Sequence, residues 1–445
     1  MKGCIMNSEN EVSRRTFVAT GVGTAIGVAA STHAQAQGAN DRIRLGFIGV
    51  GNRGRQVMNA FFRHKDCVIT AICDVYKTHN TMTLELLAKN GMTDVAVYDD
   101  HRKLLEDNNV DAVVIATPDH WHAIQTIDAC NAGKDVYVEK PVSATIHEGR
   151  QMVKIARRTK RIVQVGTHRR SSVVYKRLAE HVQKGVIGDV TVSRAYHLSN
   201  MAPKGIGKLQ PSDPPADLDW DMWLGPRAMR PYQGNICPYK FRWWKDFSSQ
   251  IANNGIHYLD AIRWVTGEEY PTSIVALGGN FAVDDDRTIP DTLEATFQFA
   301  SGRILTFGHY EATGQAMMRK GEVEIRGTKG MASVSGTNFE IFPEKGGQFQ
   351  DPAPRMEGMK DTGDGSNGDL TASHARNFLD CIKTRETPCA DIEVGHRSTS
   401  LSNLANISLY FGERLEWDGE KEVITNHKKA NELLHYEYRK PWKLG

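Results

Sequence analysis

The chain has 445 residues, enough for two domains with sizeable cores. Hydrophobic content of 40% and charged content of 24% are those of a soluble globular protein. A net charge of +2 gives no electrostatic case for nucleic acid or an anionic membrane surface. The seven cysteines (Cys4, Cys67, Cys73, Cys130, Cys237, Cys381, Cys389) show no CxxC spacing, so neither a metal site nor a disulfide framework follows.

Residues 1–40 read as an address and linker. Ser13-Arg14-Arg15-Thr16-Phe17 is a twin-arginine pattern, Val18 to Ala30 is an apolar run rich in glycine and alanine, and Ala34-Gln35-Ala36 is a small-residue cleavage site. The run is too short and too glycine-rich to span a bilayer stably. No cysteine follows it, so no membrane anchor is expected. The expectation is a periplasmic protein exported folded, with its cofactor bound and its thiols unoxidised.

Residues 41–168 read as a nucleotide-binding domain. Arg42 to Gly49 predicts a strand, and the turn Gly49-Val50-Gly51-Asn52-Arg53-Gly54 follows at once. Gly49 permits the tight turn, Gly51 lets backbone approach a pyrophosphate, and Gly54 allows the next helix to pack closely. That helix, starting near Asn52, presents its N-terminus to the phosphates. Val68 to Cys73 is the second strand, and Asp74 ends it at about 20–25 residues past the first glycine, the usual place for a ribose-binding acid. A carboxylate there favours NAD over NADP.

Ala112 to Ala116 is a short buried strand ending in Thr117-Pro118-Asp119-His120-Trp121-His122, with a helix over 123–133 closed by Gly133. Asp135 to Val138 delivers Glu139-Lys140-Pro141, and Ile162 to Gly166, which contains Gln164, delivers Thr167-His168-Arg169-Arg170. Strands alternating with helices predict a parallel, doubly wound sheet. Its strand ends share one edge, so Thr117, Pro118, His120, His122, Glu139, Lys140 and Gln164 are expected to converge on the cofactor with Asn52 and Arg53.

Residues 169–445 read as an α+β domain for substrate and oligomerisation, with a mostly antiparallel open sheet. Val190 to His197, Ile274 to Phe281, Thr292 to Phe299, Arg303 to His309 and Glu322 to Arg326 alternate like half-exposed strands. Ala300-Ser301-Gly302-Arg303 is a hairpin turn. Residues 346–370 read as a surface loop, and 373–415 as helical. Asp219 to Asp246 holds Trp220, Trp223, Trp243 and Trp244, which either pack as an arm or stack on a sugar ring. A helix from about Ile251 would set Asn253, His257 and Asp260 on one face.

Together the glycine turn, Thr117 to His122, Ala132 to Pro141, Leu218 to Pro226 and Gly255 to Asp260 resemble the glucose-fructose oxidoreductase / inositol dehydrogenase (Gfo/Idh/MocA) family. The resemblance implies a Rossmann domain, an α/β domain whose open sheet serves oligomerisation, and catalysis by the lysine of the Glu-Lys-Pro motif with an acid and a histidine four apart. Here these are Lys140, Asn253 and His257; an amide at the acid position can hold a hydroxyl but not take its proton. The expected reaction is NAD-dependent oxidation of a sugar or cyclitol hydroxyl, with His257 taking the proton and Lys140 stabilising charge on the oxygen. His168, Arg169, Arg242, Trp243 and Asp260 are the candidate substrate contacts. In an exported enzyme a tightly bound NAD could instead serve a redox-neutral glycosidase or lyase acting through a transient keto-sugar. A non-catalytic sugar-binding protein is the remaining alternative.

Overall fold

The computed structural model describes residues 42–318, 321–363 and 368–445. The leader expected over 1–40 lies outside them. Six short strands open the chain: β1 (Ile43–Ile48), β2 (Cys67–Cys73), β3 (Ala96–Tyr98), β4 (Ala112–Ile115), β5 (Asp135–Val138) and β6 (Val163–Val165). All their pairings are parallel, in the order β3-β2-β1-β4-β5-β6. β4 and β5 are buried at every position, as strands covered on both faces must be. The covering helices are α1 (Asn52–Phe61), α2 (Lys77–Lys89), α3 (His101–Glu106), α4 (Asp119–Asn131) and α5 (Ile146–Thr159). The order reverses between β1 and β4, and the crevice beyond the carboxyl ends of a parallel sheet opens at that switch.

One boundary differs with consequence. α4 begins at Asp119 rather than at 123, because Pro118 is extended (φ −60°, ψ 151°) and Asp119 puts a carboxylate in the first turn. His120, Trp121 and His122 are therefore buried helical residues rather than strand-end residues.

After α6 (Val173–Gln183) the second sheet begins with β7 (Val190–Asn200). The short α7 (Trp220–Leu224), a π-helical turn (Ile251–Gly255) and α8 (Ile256–Thr266) precede β8 (Pro271–Gly279), β9 (Thr292–Phe299), β10 (Ile304–Tyr310), β11 (Ala312–Thr313), β12 (Val323–Gly327), β13 (Gly330–Val334), β14 (Phe339–Pro343) and β15 (Met359–Asp361). Two helices, α9 (Leu370–Thr384) and α10 (Ile392–Phe411), and strands β16 (Leu415–Asp418) and β17 (Val423–Ile424) complete it. The order is β15-β14-β13-β12-β7-β10-β9-β8-β16-β17, with β11 on β7. Only β7 and β10 pair in parallel. The loop expected over 346–370 thus contains a strand, and the helical stretch expected over 373–415 is broken where Arg385 turns left-handed (φ 63°).

Alternation along β9 sends Leu293, Ala295, Phe297 and Phe299 into a core shared with α6, α8 and α10. Its other face carries Thr292, Glu294, Thr296 and Gln298. α9 leaves this core and seats Phe378 edge-on against Phe61 and Tyr137 of the first sheet's layer. Among the described residues no helix is long and apolar enough to cross a membrane, and no group of three or more His, Cys, Asp or Glu is placed to hold a metal ion.

Candidate functional site

Gly49 and Gly54 make a turn that no side chain could enter. Gly49 has φ +84°, and a Cβ there would lie 2.6 Å from the Thr117 nitrogen. A Cβ on Gly54 would meet the Gly49 carbonyl at 2.1 Å, so α1 starts hard against the turn. No side chain caps the α1 N-terminus, leaving its N–H groups for an anion. Asp74, just beyond β2, accepts from the Val50 and Tyr76 backbone N–H groups, each at 2.9 Å, and lies 3.2 Å from His79 Nδ1. These groups line a cleft enclosing about 1030 Å³ of empty space open to solvent. A dinucleotide's pyrophosphate and ribose fit this donor and acceptor set.

Lys140 stands at the other end of the same cleft. Its ammonium donates to the Asn253 carbonyl at 2.8 Å and to the Asn253 Oδ1 at 3.4 Å. Burial pushes it down to about 8, against the opposing pull of Glu139 and with Arg242 adding to the depression. Glu139 does not neutralise it alone, since Arg53 Nε donates to that carboxylate at 2.9 Å. Burial tends to raise the Glu139 carboxyl, but Arg53 and Lys140 hold it below its usual range.

Asn253 lies in the π-helical turn that runs into α8, an irregularity often found where a helix must present a side chain to a site. His257, on α8, is half-buried, and desolvation with the Lys140 charge drives it well below its ordinary range. Its Nδ1 has no hydrogen-bond partner. The His168 ring lies 5.0 Å away and is pushed down to about 3 by burial and Arg169. Both rings are therefore neutral near pH 7.

Gly49, Gly51, Asn52, Arg53, Asp74, Thr117, Pro118, Glu139, Lys140, Asn253 and Arg242 line the cleft, with Gly54 beneath the turn. Other expected residues stand elsewhere, and neither His168 nor His257 lines the cleft. His120 Nε2 lies 2.9 Å from the Trp223 carbonyl, and His122 sits between the Pro141 and Thr117 carbonyls at 2.7 and 2.9 Å; helix α4 turns both away from the cleft into bracing roles. Gln164 is fully buried on β6 and donates to the His374 carbonyl, because the strand's alternation points it into the layer behind the cleft. Asp260 is buried with Arg170 and Ser398, one turn beyond the face that carries His257. Arg169 is spent on Glu322, and the Trp243 indole donates to Glu311 at 2.9 Å.

The tryptophans of the arm mostly pack on each other. Trp220 and Trp223 stack with centroids 4.8 Å apart, and Trp244 joins their cluster. Yet the arm also roofs the cleft: Trp223, Pro238, Tyr239 and Phe241 line it, and the segment before it bridges Leu218 to Tyr76, beside Asp74. Tyr76, His79, His101, Trp121 and Gln125 are lining residues that sequence reading missed. His79 carried a signal, lying one helical turn past Asp74; the others are placed by tertiary packing.

Residues 43–167 match the family described as Gfo/Idh/MocA, "Oxidoreductase family, NAD-binding Rossmann fold", and residues 172–444 match its C-terminal alpha/beta domain. The chain belongs to the Gfo/Idh/MocA oxidoreductase family. Among curated proteins, Glycosyl hydrolase family 109 protein 1 of Shewanella sp. (strain ANA-3) is 31% identical over 167 residues, 36% of each chain. Alpha-N-acetylgalactosaminidase of Shewanella oneidensis is 35% identical over 123 residues, 27% of each. The match thus spans about a third of these relatives' length. A levoglucosan dehydrogenase in complex with NADH and levoglucosan shares the fold at 17% identity and TM-score 0.62, over 84% of this chain and 99% of that one. The WlbA dehydrogenase from Bordetella pertussis, in complex with NADH and UDP-GlcNAcA, does so at 17% identity and TM-score 0.63, over 85% and 99%.

Proposed function

We propose that the protein oxidises, or reversibly oxidises, a hydroxyl of a sugar, cyclitol or sugar derivative with NAD held in the cleft. The observation that carries this reading is Lys140, a half-buried lysine whose amine is held at about 8 and hydrogen-bonded to Asn253, in the same cleft as the glycine turn and Asp74. A bound nicotinamide would take the carbinol hydrogen as hydride. The residues around it have to move the proton. His257 was expected to do so, but a ring driven well below its usual range is a poor base. Lys140 has both protonation states populated near neutral pH and takes the hydroxyl proton as free amine. The Asn253 carbonyl and side-chain amide oxygen fix the Lys140 amine in place, and His257 backs this part of the site from behind the lining residues.

Asp74 supports NAD over NADP, since a second anion would be repelled there. The roof formed by Trp223, Tyr239 and Phe241 supports a cofactor that stays bound, which suits export through the twin-arginine route to the periplasm. The open sheet, with Leu277 65% exposed, supports assembly into a homo-oligomer.

A second reading is favoured by the glycosyl hydrolase family 109 relatives. Oxidation of a ring hydroxyl to a keto-sugar acidifies the neighbouring C–H, permits loss of the glycosidic group and is then reversed, with no net NADH. Purified protein given a panel of free sugars and of nitrophenyl glycosides separates the two. NADH accumulating with a free sugar supports the first; nitrophenol release without NADH supports the second; neither product from either panel contradicts both.

A further inference from the structure

The last eleven residues of the chain are sewn both to the aromatic arm and to the first domain beneath it. Arg439 carries most of the seam. Its backbone N–H donates to the Pro226 carbonyl, its Nε to the Gly225 and Arg227 carbonyls at 3.0 Å each, and its guanidinium to the Asp221 carboxylate at 2.6 Å. The Arg227 guanidinium in turn lies 3.7 Å over the Tyr436 ring. Tyr438 donates to Glu148 on α5.

Beyond this seam Trp442 packs edge-on against Trp121, with centroids 4.7 Å apart, and lies 6.5 Å from His101. Arg102 covers its other side at 5.0 Å. Trp121 and His101 both line the cleft, and their own rings are 5.5 Å apart. The Trp121 indole also donates to the Trp223 carbonyl, and Gly225, clamped by Arg439, fits so close to that indole that a Cβ would lie 2.2 Å from it. The tail therefore fixes both layers of one wall: Trp121 and His101 from behind, and the Trp223 turn from the side.

That wall belongs to the adenosine half. His101 opens α3 after β3, and Asp74 follows β2; both strands lie on the β2–β3 side of the switch, opposite Lys140 after β5, and Trp121, on α4 after β4, reaches across the switch to the His101 ring. No tail residue lines the cleft itself. We infer that Arg439 and Trp442 are positioning residues for the adenosine half of the dinucleotide site, holding Trp121 and the Trp223 turn against it. The inference rests on the reading of the cleft as an NAD site.

The test is calorimetric titration of the full-length protein, freed of bound nucleotide, with ADP-ribose. Trp442→Ala and Arg439→Ala should each raise its dissociation constant about tenfold or more, the equivalent of roughly 1.4 kcal/mol. Trp442→Phe should restore most of the affinity. Trp417→Ala removes a buried ring at the far sheet edge and should lower the melting temperature without weakening ADP-ribose. Arg439→Lys, which keeps the charge but not the forked contacts, serves if Arg439→Ala does not fold. Unchanged affinity in the tail variants, or equal weakening by Trp417→Ala, overturns the inference while leaving the cofactor site standing. Wild-type protein that binds neither ADP-ribose nor NAD overturns the cofactor reading, and this inference with it.

Discussion

Lys140 shows how far a residue's task follows from its surroundings. A lysine at about 8 is the base of an alcohol oxidation only when it has lost its proton. Oxidation should therefore rise with pH through about 8 and level off, while the reverse reduction, which needs the ammonium, should fall over the same range; initial rates between pH 6 and 10 check both signs. Lys140→Met should lower turnover by roughly 10²–10⁴. Asn253→Asp places a carboxylate beside the amine and should move the pH midpoint upward by about one unit or more, because an opposite charge favours the ammonium. Lys140, Asp74 and the glycine turn were legible because strand ends fix where such residues point. His120, His122 and Gln164 were not, since nothing in their own sequence tells the cleft side of an element from the side behind it.

Elements were legible where their period was long enough to read. β9 alternates over eight residues and matches its expected span, Thr292–Phe299. β13, β14 and β15 run only three to five residues each, and a short piece has too few turns of the pattern to stand out from a loop. The π-helical turn was read as ordinary helix because one residue's widening leaves no mark in composition. α9 makes the clearest prediction at this scale. Phe378 is fully buried between Phe61 and Tyr137, so Phe378→Ala should cost about 3–5 kcal/mol in urea unfolding. The loss would loosen the first domain, although the helix lies far along the chain in the second.

At the scale of the whole molecule, ion pairs tie the two halves together. Asp66, at the start of the second strand's approach, is bonded by Arg376 and Lys383 of α9, and these hold its carboxyl well below the usual range. Glu422 meets Arg150 of α5 and His396 of α10. Burial tends to raise its carboxyl, but the bonds from His396 and Arg150 outweigh this and bring it to about 2. A carboxylate whose folded value is depressed stabilises the fold above its unfolded value and stops doing so as pH falls toward the folded one. Melting temperature should therefore fall as pH drops below about 4. Asp66→Asn should flatten part of that fall, which calorimetry between pH 7 and 2.5 would read. The Asp66–Arg376 and Arg150–Glu422 pairs, like the C-terminal strap, were invisible in the sequence, where their partners lie hundreds of residues apart.

A crystal structure of the protein with NAD and the sugar that turns over would test directly whether the hydroxyl is oxidised against Lys140. The reacting hydroxyl oxygen should lie about 2.6–3.2 Å from Lys140 Nζ. A reacting hydroxyl placed far from Lys140, beside another proton acceptor, would contradict this assignment.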